Sequence, residues 1–329
     1  MTTTTDTMNV WAQSAYGSAS GTTLMATPVP TPGRGEVLLK IHATALNAGD
    51  VRLMLGDPLL VRPMFGLRRP KNPVRGMDVA GTVVVRGEDV TDAEIGDEVM
   101  VELPGGGGLA PYALAPVKRL AARPEGITPA AAASLPIAGG TAWQALELAE
   151  VADGQRVLVL GASGGVGTFA VQLAGIRGAE AHATCSERNA PLLERLGATQ
   201  IFGRDGAQIP SDAYDAVIDI AGGTPLRTLQ RLLRPGGTAV LVGGGGGRVL
   251  GPLPRMLGAA LLSIGSSRRI RALAATAHPS VLRALGELAA QGALSPVIER
   301  EYPFDEADAA LAHLEAGHTV GKVIVTAAP

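Results

Sequence analysis

The 329-residue chain has one cysteine, Cys185. No internal disulfide can form, a multi-cysteine structural zinc lobe is excluded, and a reducing compartment is implied. Aromatic residues are only 3% of the chain. Stacking surfaces for flat rings are therefore scarce unless Phe65, Trp143 or Trp11 supplies one. An excess of one charge is also missing: the net charge is −2, and no long run of Lys and Arg exists to hold nucleic acid. The clusters GLRRP and SSRRIR read as solvated faces or small anion sites. The longest candidate membrane stretch, MLGAALLSIG, is too short to span, and TPAAAASLPIAGGTAW is interrupted by Pro and Gly. The opening MTTTTDTM lacks the charged start and apolar core of a signal peptide. A folded cytoplasmic protein acting on small molecules is expected, with no nucleic-acid or membrane partner. The chain length exceeds what one hydrophobic core usually spans, so two lobes are the starting point.

What is present changes character along the chain. From Val10 to Ala122, short apolar runs alternate with Gly/Pro turns: EVLLKIHATAL and DVAGTVVVRG read as strands, and TPVPTPGRG as a rigid turn. This first part is expected to be β-rich and barrel-like. Beyond it, Thr128 can cap a helix with Pro129 at its first position, and a second helix follows Thr141. Strands and helices then alternate. RVLVLGA precedes the helix GVGTFAVQLAGIRG, and AEAHATC precedes RNAPLLERLG. TQIFG, AVIDIAG and GTAVLVGG follow as strands, with the helix TPLRTLQRLLRPG before the last. The alternation predicts an α/β fold with a doubly wound parallel sheet.

Within it, GASGGVG joins a strand to a helix. Gly161, Gly164, Gly165 and Gly167 allow a tight turn and close approach of a pyrophosphate, whose charge rests on the amides of Ser163, Val166 and their neighbours at the helix start. An NAD site asks for Asp or Glu at the end of the next strand, to bind the ribose 2′-hydroxyl. Here Thr184 and Cys185 lead into Ser186, Glu187 and Arg188. Ser186 can donate to a 2′-phosphate and Arg188 can clamp it, with Arg204 within reach after the third strand. NADPH is the expected cofactor, with Glu187 serving NAD as the alternative.

TPVPTPGRGEVLLKIHATALNAGD, NPVRGMDVAGTV, GASGGVGTFAVQLA and GKVIV, in that order, resemble the medium-chain dehydrogenase/reductase superfamily. Within it the chain looks like the zinc-independent quinone oxidoreductases and enoyl reductases, from about Val10 to Ala327. The resemblance implies a GroES-like catalytic domain (residues 1–125, completed by 271–329), a Rossmann domain (126–270) and a homodimer. Positions matching the superfamily's catalytic zinc ligands hold Asn47, Met77 and, less surely, Ile137, which make no zinc site. The five histidines show no paired ligand spacing, and Asp78, beside one lost ligand, reads as structural. No metal is expected.

Without a Lewis acid for alcohol oxidation, reduction of a conjugated C=C (enone, enoyl or quinone) is the expected chemistry, with hydride delivered to the β-carbon and donors offered to the developing enolate. The resemblance points to Asn47 and Asp50 in NAGD and to Arg52 as catalytic candidates. It points to Thr141, Gly243, Gly244 and Lys322 as cofactor contacts. Asn47, Asp50 and Thr141 also read as turn or helix caps, and Arg52 as a surface ion-pair member. No tyrosine is placed as a proton donor. Two other readings stay open: a non-redox cyclase or isomerase on the same scaffold, and a non-catalytic nucleotide-binding protein.

Overall fold

Short strands between glycine and proline turns build the first of two units. The computed structural model describes residues 6–243 and 246–327. The first unit comprises Met1–Ile137 and Ala277–Pro329, the second Ala138–Thr276. In the first, β1 (Thr7–Ala12) pairs antiparallel with β2 (Thr23–Pro28). Strand β3 (Glu36–Leu46) is followed by α1 (Ala48–Leu55), α2 (Arg62–Phe65), β4 (Asp78–Arg86), β5 (Glu98–Glu102), β6 (Tyr112–Pro116), β7 (Ala121–Ala122) and α3 (Pro129–Ala133). Thr128 caps α3 by accepting from the Ala131 amide at 3.2 Å, with Pro129 at the first helical position, where a missing N–H is harmless.

The second unit runs α4 (Gly140–Leu148), β8 (Arg156–Leu160), α5 (Gly165–Ile176), β9 (Glu180–Cys185), α6 (Ala190–Arg195), β10 (Ala198–Gly203), β11 (Tyr214–Asp219), α7 (Leu226–Leu232), β12 (Leu233–Leu241), α8 (Leu253–Ser263) and β13 (Arg269–Ala272). Its six strands lie in the order β10-β9-β8-β11-β12-β13, and every pair is parallel. Val157, Leu158 and Val159 are fully buried, as a parallel strand covered by helices on both faces requires. The strand order reverses between β8 and β11, and the loops leaving such a switch point are where doubly wound sheets hold ligands. One boundary differs from the sequence expectation. The helix TPLRTLQRLLRPG ends at Leu232, and Arg234, Pro235 and Gly236 belong to β12, because Pro235 biases its predecessor away from helical backbone.

The chain then returns to the first unit with α9 (Pro279–Ala290), β14 (Ile298–Pro303), α10 (Ala307–Glu315) and β15 (Lys322–Thr326). The larger sheet has the order β14-β15-β3-β4-β5-β7, with β6 also on β3. Central β3 packs Val37, Leu39 and Ile41 with Val79, Val83, Val99 and Val101 into one core. Leu46, Met54, Leu109, Leu311, Val323 and Val325 form a second. No described helix is long and apolar enough to cross a membrane. The GroES-like and Rossmann-type α/β class expected from the sequence is what the strands build.

Candidate functional site

In the second unit, β8 hands over to α5 through Gly161–Gly164. Gly161 has φ +83°, a region that a side chain disfavours. A Cβ at Gly167 would lie 2.5 Å from the Gly161 carbonyl oxygen and 2.6 Å from the Ala162 Cα, so the helix rests on the loop only because that position is glycine. Gly164 is the N-cap of α5, and no side chain caps the helix. The first-turn amides, those of Gly165, Val166 and Gly167, have no carbonyl four residues back within the helix, the arrangement that receives an anion. Ser163 is buried beside them.

The end of β9 is tied to this loop. The Gly161 amide donates to Thr184 Oγ1 at 3.0 Å, and the Ala162 amide to the Thr184 carbonyl at 3.1 Å. Just beyond, Ser186 Oγ and Asn189 Nδ2 are buried without a partner. Arg188 and Arg204 are exposed. Burial pushes the Cys185 thiol up, with Arg204 the opposing influence. An orphaned hydroxyl, an orphaned amide and two exposed guanidinium groups at this strand end can meet the ribose side of a dinucleotide.

On the opposite side of the switch point, Gly243 donates its amide to the Asp219 carbonyl at 3.1 Å. A Cβ there would sit 1.9 Å from the Ile220 carbonyl oxygen. Gly244 lies outside the described residues. Thr141 is the second residue of α4 rather than its cap. A residue the sequence reading missed, Asp219, is fully buried at the end of β11. It accepts from the Gly222 amide at 3.0 Å and from Arg255 at 2.7 Å. Burial pushes its carboxyl up, and the Gly222 hydrogen bond is first among the influences pulling it back.

In the first unit, three of the expected site residues are engaged by neighbouring side chains and amides. Asn47 is bonded within the protein: Nδ2 donates to Asp78 Oδ2 at 2.9 Å and to the Ala45 carbonyl at 3.3 Å, while Oδ1 accepts from Lys322 Nζ at 2.5 Å. Asp50 is fully buried and accepts from the amides of Asn47 (2.9 Å) and Gly76 (2.8 Å); it fixes the start of α1 and the turn before β4. Lys322 is 3% exposed and lies 3.7 Å from Asp78, so its ammonium belongs to a buried pair. Burial pushes Asp78 up to about 7 and Lys322 down, and in each the partner's charge is the chief opposing influence. Of the catalytic candidates, Arg52 alone is exposed.

These side chains also settle how the positions matching a zinc site are used. Asn47 is committed to Asp78 and Lys322, Met77 offers only a thioether, and Ile137 contributes its amide to Asp78 at 3.1 Å. No thiolate, imidazole or free carboxylate is present in the set, so it does not fit zinc. Among the described residues, no group of three or more His, Cys, Asp or Glu is placed to hold a metal.

Known proteins resemble this chain throughout its length. A family model described as an alcohol dehydrogenase GroES-like domain matches residues 33–125, and one described as a zinc-binding dehydrogenase matches residues 196–325. The chain is 36% identical over 325 residues to the chloroplastic quinone-oxidoreductase QR1 of Triphysaria versicolor, covering 94% of this chain and 95% of that one. It is 31% identical to an Arabidopsis thaliana chloroplastic NADPH-dependent alkenal/one oxidoreductase, covering 98% and 80%. The solved quinone oxidoreductase of Coxiella burnetii superposes with a TM-score of 0.86 at 30% identity, covering 98% of this chain and 99% of that one.

Proposed function

The chain belongs to the medium-chain dehydrogenase/reductase superfamily, in its zinc-independent, quinone-oxidoreductase-like branch, and from that premise we propose that it is an NADPH-dependent reductase of activated C=C bonds. The observation that carries the reading is the β8–α5 loop with uncapped first-turn amides, joined through Thr184 to a strand end that has no acidic residue at Thr184 or Cys185. The names of two relatives, a quinone oxidoreductase and an alkenal/one oxidoreductase, support the reaction class.

In this reading the amides of Ser163, Gly164, Gly165, Val166 and Gly167 hold the pyrophosphate, with Gly161 turning the chain beneath it. Ser186, Arg188 and Arg204 would hold the 2′-phosphate, and Thr141 with Gly243 would border the nicotinamide end. When bound, the cofactor would supply a hydride for the β-carbon of a conjugated carbonyl, and solvent the proton that the resulting enolate takes up at its α-carbon. Arg52 donates to the carbonyl oxygen on which negative charge develops. The buried Asn47–Asp78–Lys322 cluster ties together the ends of β3, β4 and β15. Substrates are enones, enoyl compounds or quinones, including those of secondary metabolism, and the enzyme works in the cytoplasm, a setting its lone buried cysteine suits.

The cofactor assignment has a direct test. Arg188→Ala should weaken NADPH binding by about 10- to 100-fold, the worth of a charge-assisted hydrogen-bonded pair, while NADH binding changes little. Calorimetric titration of both nucleotides reads the difference; equal losses would mean that Arg188 does not meet the 2′-phosphate.

We also propose a homodimer formed through the second unit. Among the described residues, strand β13 ends its sheet with one edge unpaired. Beside it α8 exposes Leu253, Leu257 and Leu261 at 38, 67 and 69%, followed by Ile264 at 76%. Residues four apart share a helix face, and a contiguous apolar face of this kind marks an interaction surface. Leu257→Glu with Leu261→Glu should halve the mass measured by light scattering; a wild-type protein already at monomer mass contradicts the assignment.

A further inference from the structure

A cavity of about 470 Å³ lies within the first unit, in the size range of small-molecule sites. Leu53, Met64, Phe65 and Met77 give it apolar walls. Its charged lining is unbalanced: Lys71, Arg75 and Arg119 face one carboxylate, Glu102. Glu102 is already paired with Arg119 at 3.3 Å.

Arg75 is the unusual member. It is 3% exposed, and a buried guanidinium is normally paired or fully hydrogen-bonded. Here one terminal nitrogen donates to the Asn72 carbonyl, while Nε has no partner. Asp50 is the foremost acid acting on it from a distance, but the Asp50 oxygens are taken by two backbone amides. A planar fork of donors, walled by apolar side chains and lacking a carboxylate partner, matches a bidentate anionic group attached to a hydrophobic body.

We propose that this cavity seats an apolar organic carboxylate, with Arg75 binding the carboxylate and Leu53, Met64, Phe65 and Met77 covering the rest. The proposal rests on the reductase reading for its consequence: the preferred substrates are α,β-unsaturated carbonyl compounds that carry a carboxylate, and Arg75 is the residue that selects them.

The test separates binding from turnover. Calorimetry compares 4-oxo-4-phenylbutanoate with the uncharged 1-phenylbutan-1-one on the NADPH-loaded wild-type protein, Arg75→Met and Met64→Glu. The carboxylate should bind at least about tenfold more tightly to the wild type, and Arg75→Met should abolish the preference. Met64 is 70% exposed on the wall, so Met64→Glu leaves the fold intact and should narrow the preference by like-charge repulsion, which decides the matter if Arg75→Met does not fold. Equal binding of the two probes by the wild type, as when a water fills the Nε position, overturns the proposal. So does a preference that neither variant changes. Turnover of 4-oxo-4-phenylbut-2-enoate is read separately. An intact preference without turnover refutes the reductase reading and leaves the site standing, whereas turnover without preference refutes the site alone.

Discussion

Lys322→Met should destabilise the protein by about 3–5 kcal/mol, the cost of removing one partner of a buried ion pair, and lower Tm by roughly 10 °C. The reason is what it leaves behind. Asp78 is fully buried; its Oδ2 accepts from Asn47 and Ile137, while Oδ1 has no partner. Lys322 is the strongest influence holding that carboxylate ionised. Without it, the folded-state pKa of Asp78 rises beyond its value of about 7, already far above the usual carboxylate value of 3.8. An acid with a raised folded-state pKa costs stability only above its unfolded pKa, and the cost grows with pH until the folded pKa is passed. The deficit of Lys322→Met should therefore be larger at pH 8 than at pH 5. Adding Asp78→Asn should recover much of it, since neither charge is then stranded. Urea unfolding of the four proteins at both pH values measures this. A deficit independent of pH, or additive effects in the double variant, would mean that the two groups do not act as a pair.

Gly167→Val should weaken nucleotide binding by on the order of 10- to 100-fold, taking 1–3 kcal/mol for overpacking of a close contact. Its side chain would begin 2.5 Å from the Gly161 carbonyl oxygen, so α5 must move away from the loop and carry the first-turn amides with it. Gly175→Ala is the control in the same helix. Nothing lies within 4 Å of a Cβ at Gly175, and Ala there should leave binding unchanged and add about 0.5–1 kcal/mol of stability. Nucleotide titration of both variants distinguishes a demand of the loop from a general intolerance of substitution in α5. Undiminished binding by Gly167→Val would remove the loop from the site.

The contrast between these two predictions follows what the sequence makes visible. The demand for glycine at Gly161 and Gly167 is local, because strand, turn and helix are adjacent in the chain and each glycine answers a steric requirement of its neighbours. The alternation of β8, α5 and β9 was legible for the same reason, their apolar runs being of strand and helix period. The inward use of Asn47 was not legible, since its partner Lys322 stands 275 residues away and only sheet pairing of β3 with β15 brings the two together. Without that pairing, NAGD and GKVIV look like residues facing a ligand. Asp50 carried a local signal, a carboxylate three residues after Asn47 at a helix start, which gave the capping role it fills. Arg75 was missed although NPVRGMD shows it: an arginine three residues before a strand that is buried from its first residue asks where its charge goes.

The central claim is tested most directly by the fate of the transferred hydrogen. The purified protein would be given 1-phenylbut-2-en-1-one and NADPH deuterated at its transferable position, and the product analysed by mass spectrometry. The account predicts the saturated ketone with one deuterium on the β-carbon and equimolar consumption of NADPH. Deuterium on the carbonyl carbon of an alcohol, or product formed without NADPH consumption, would contradict it.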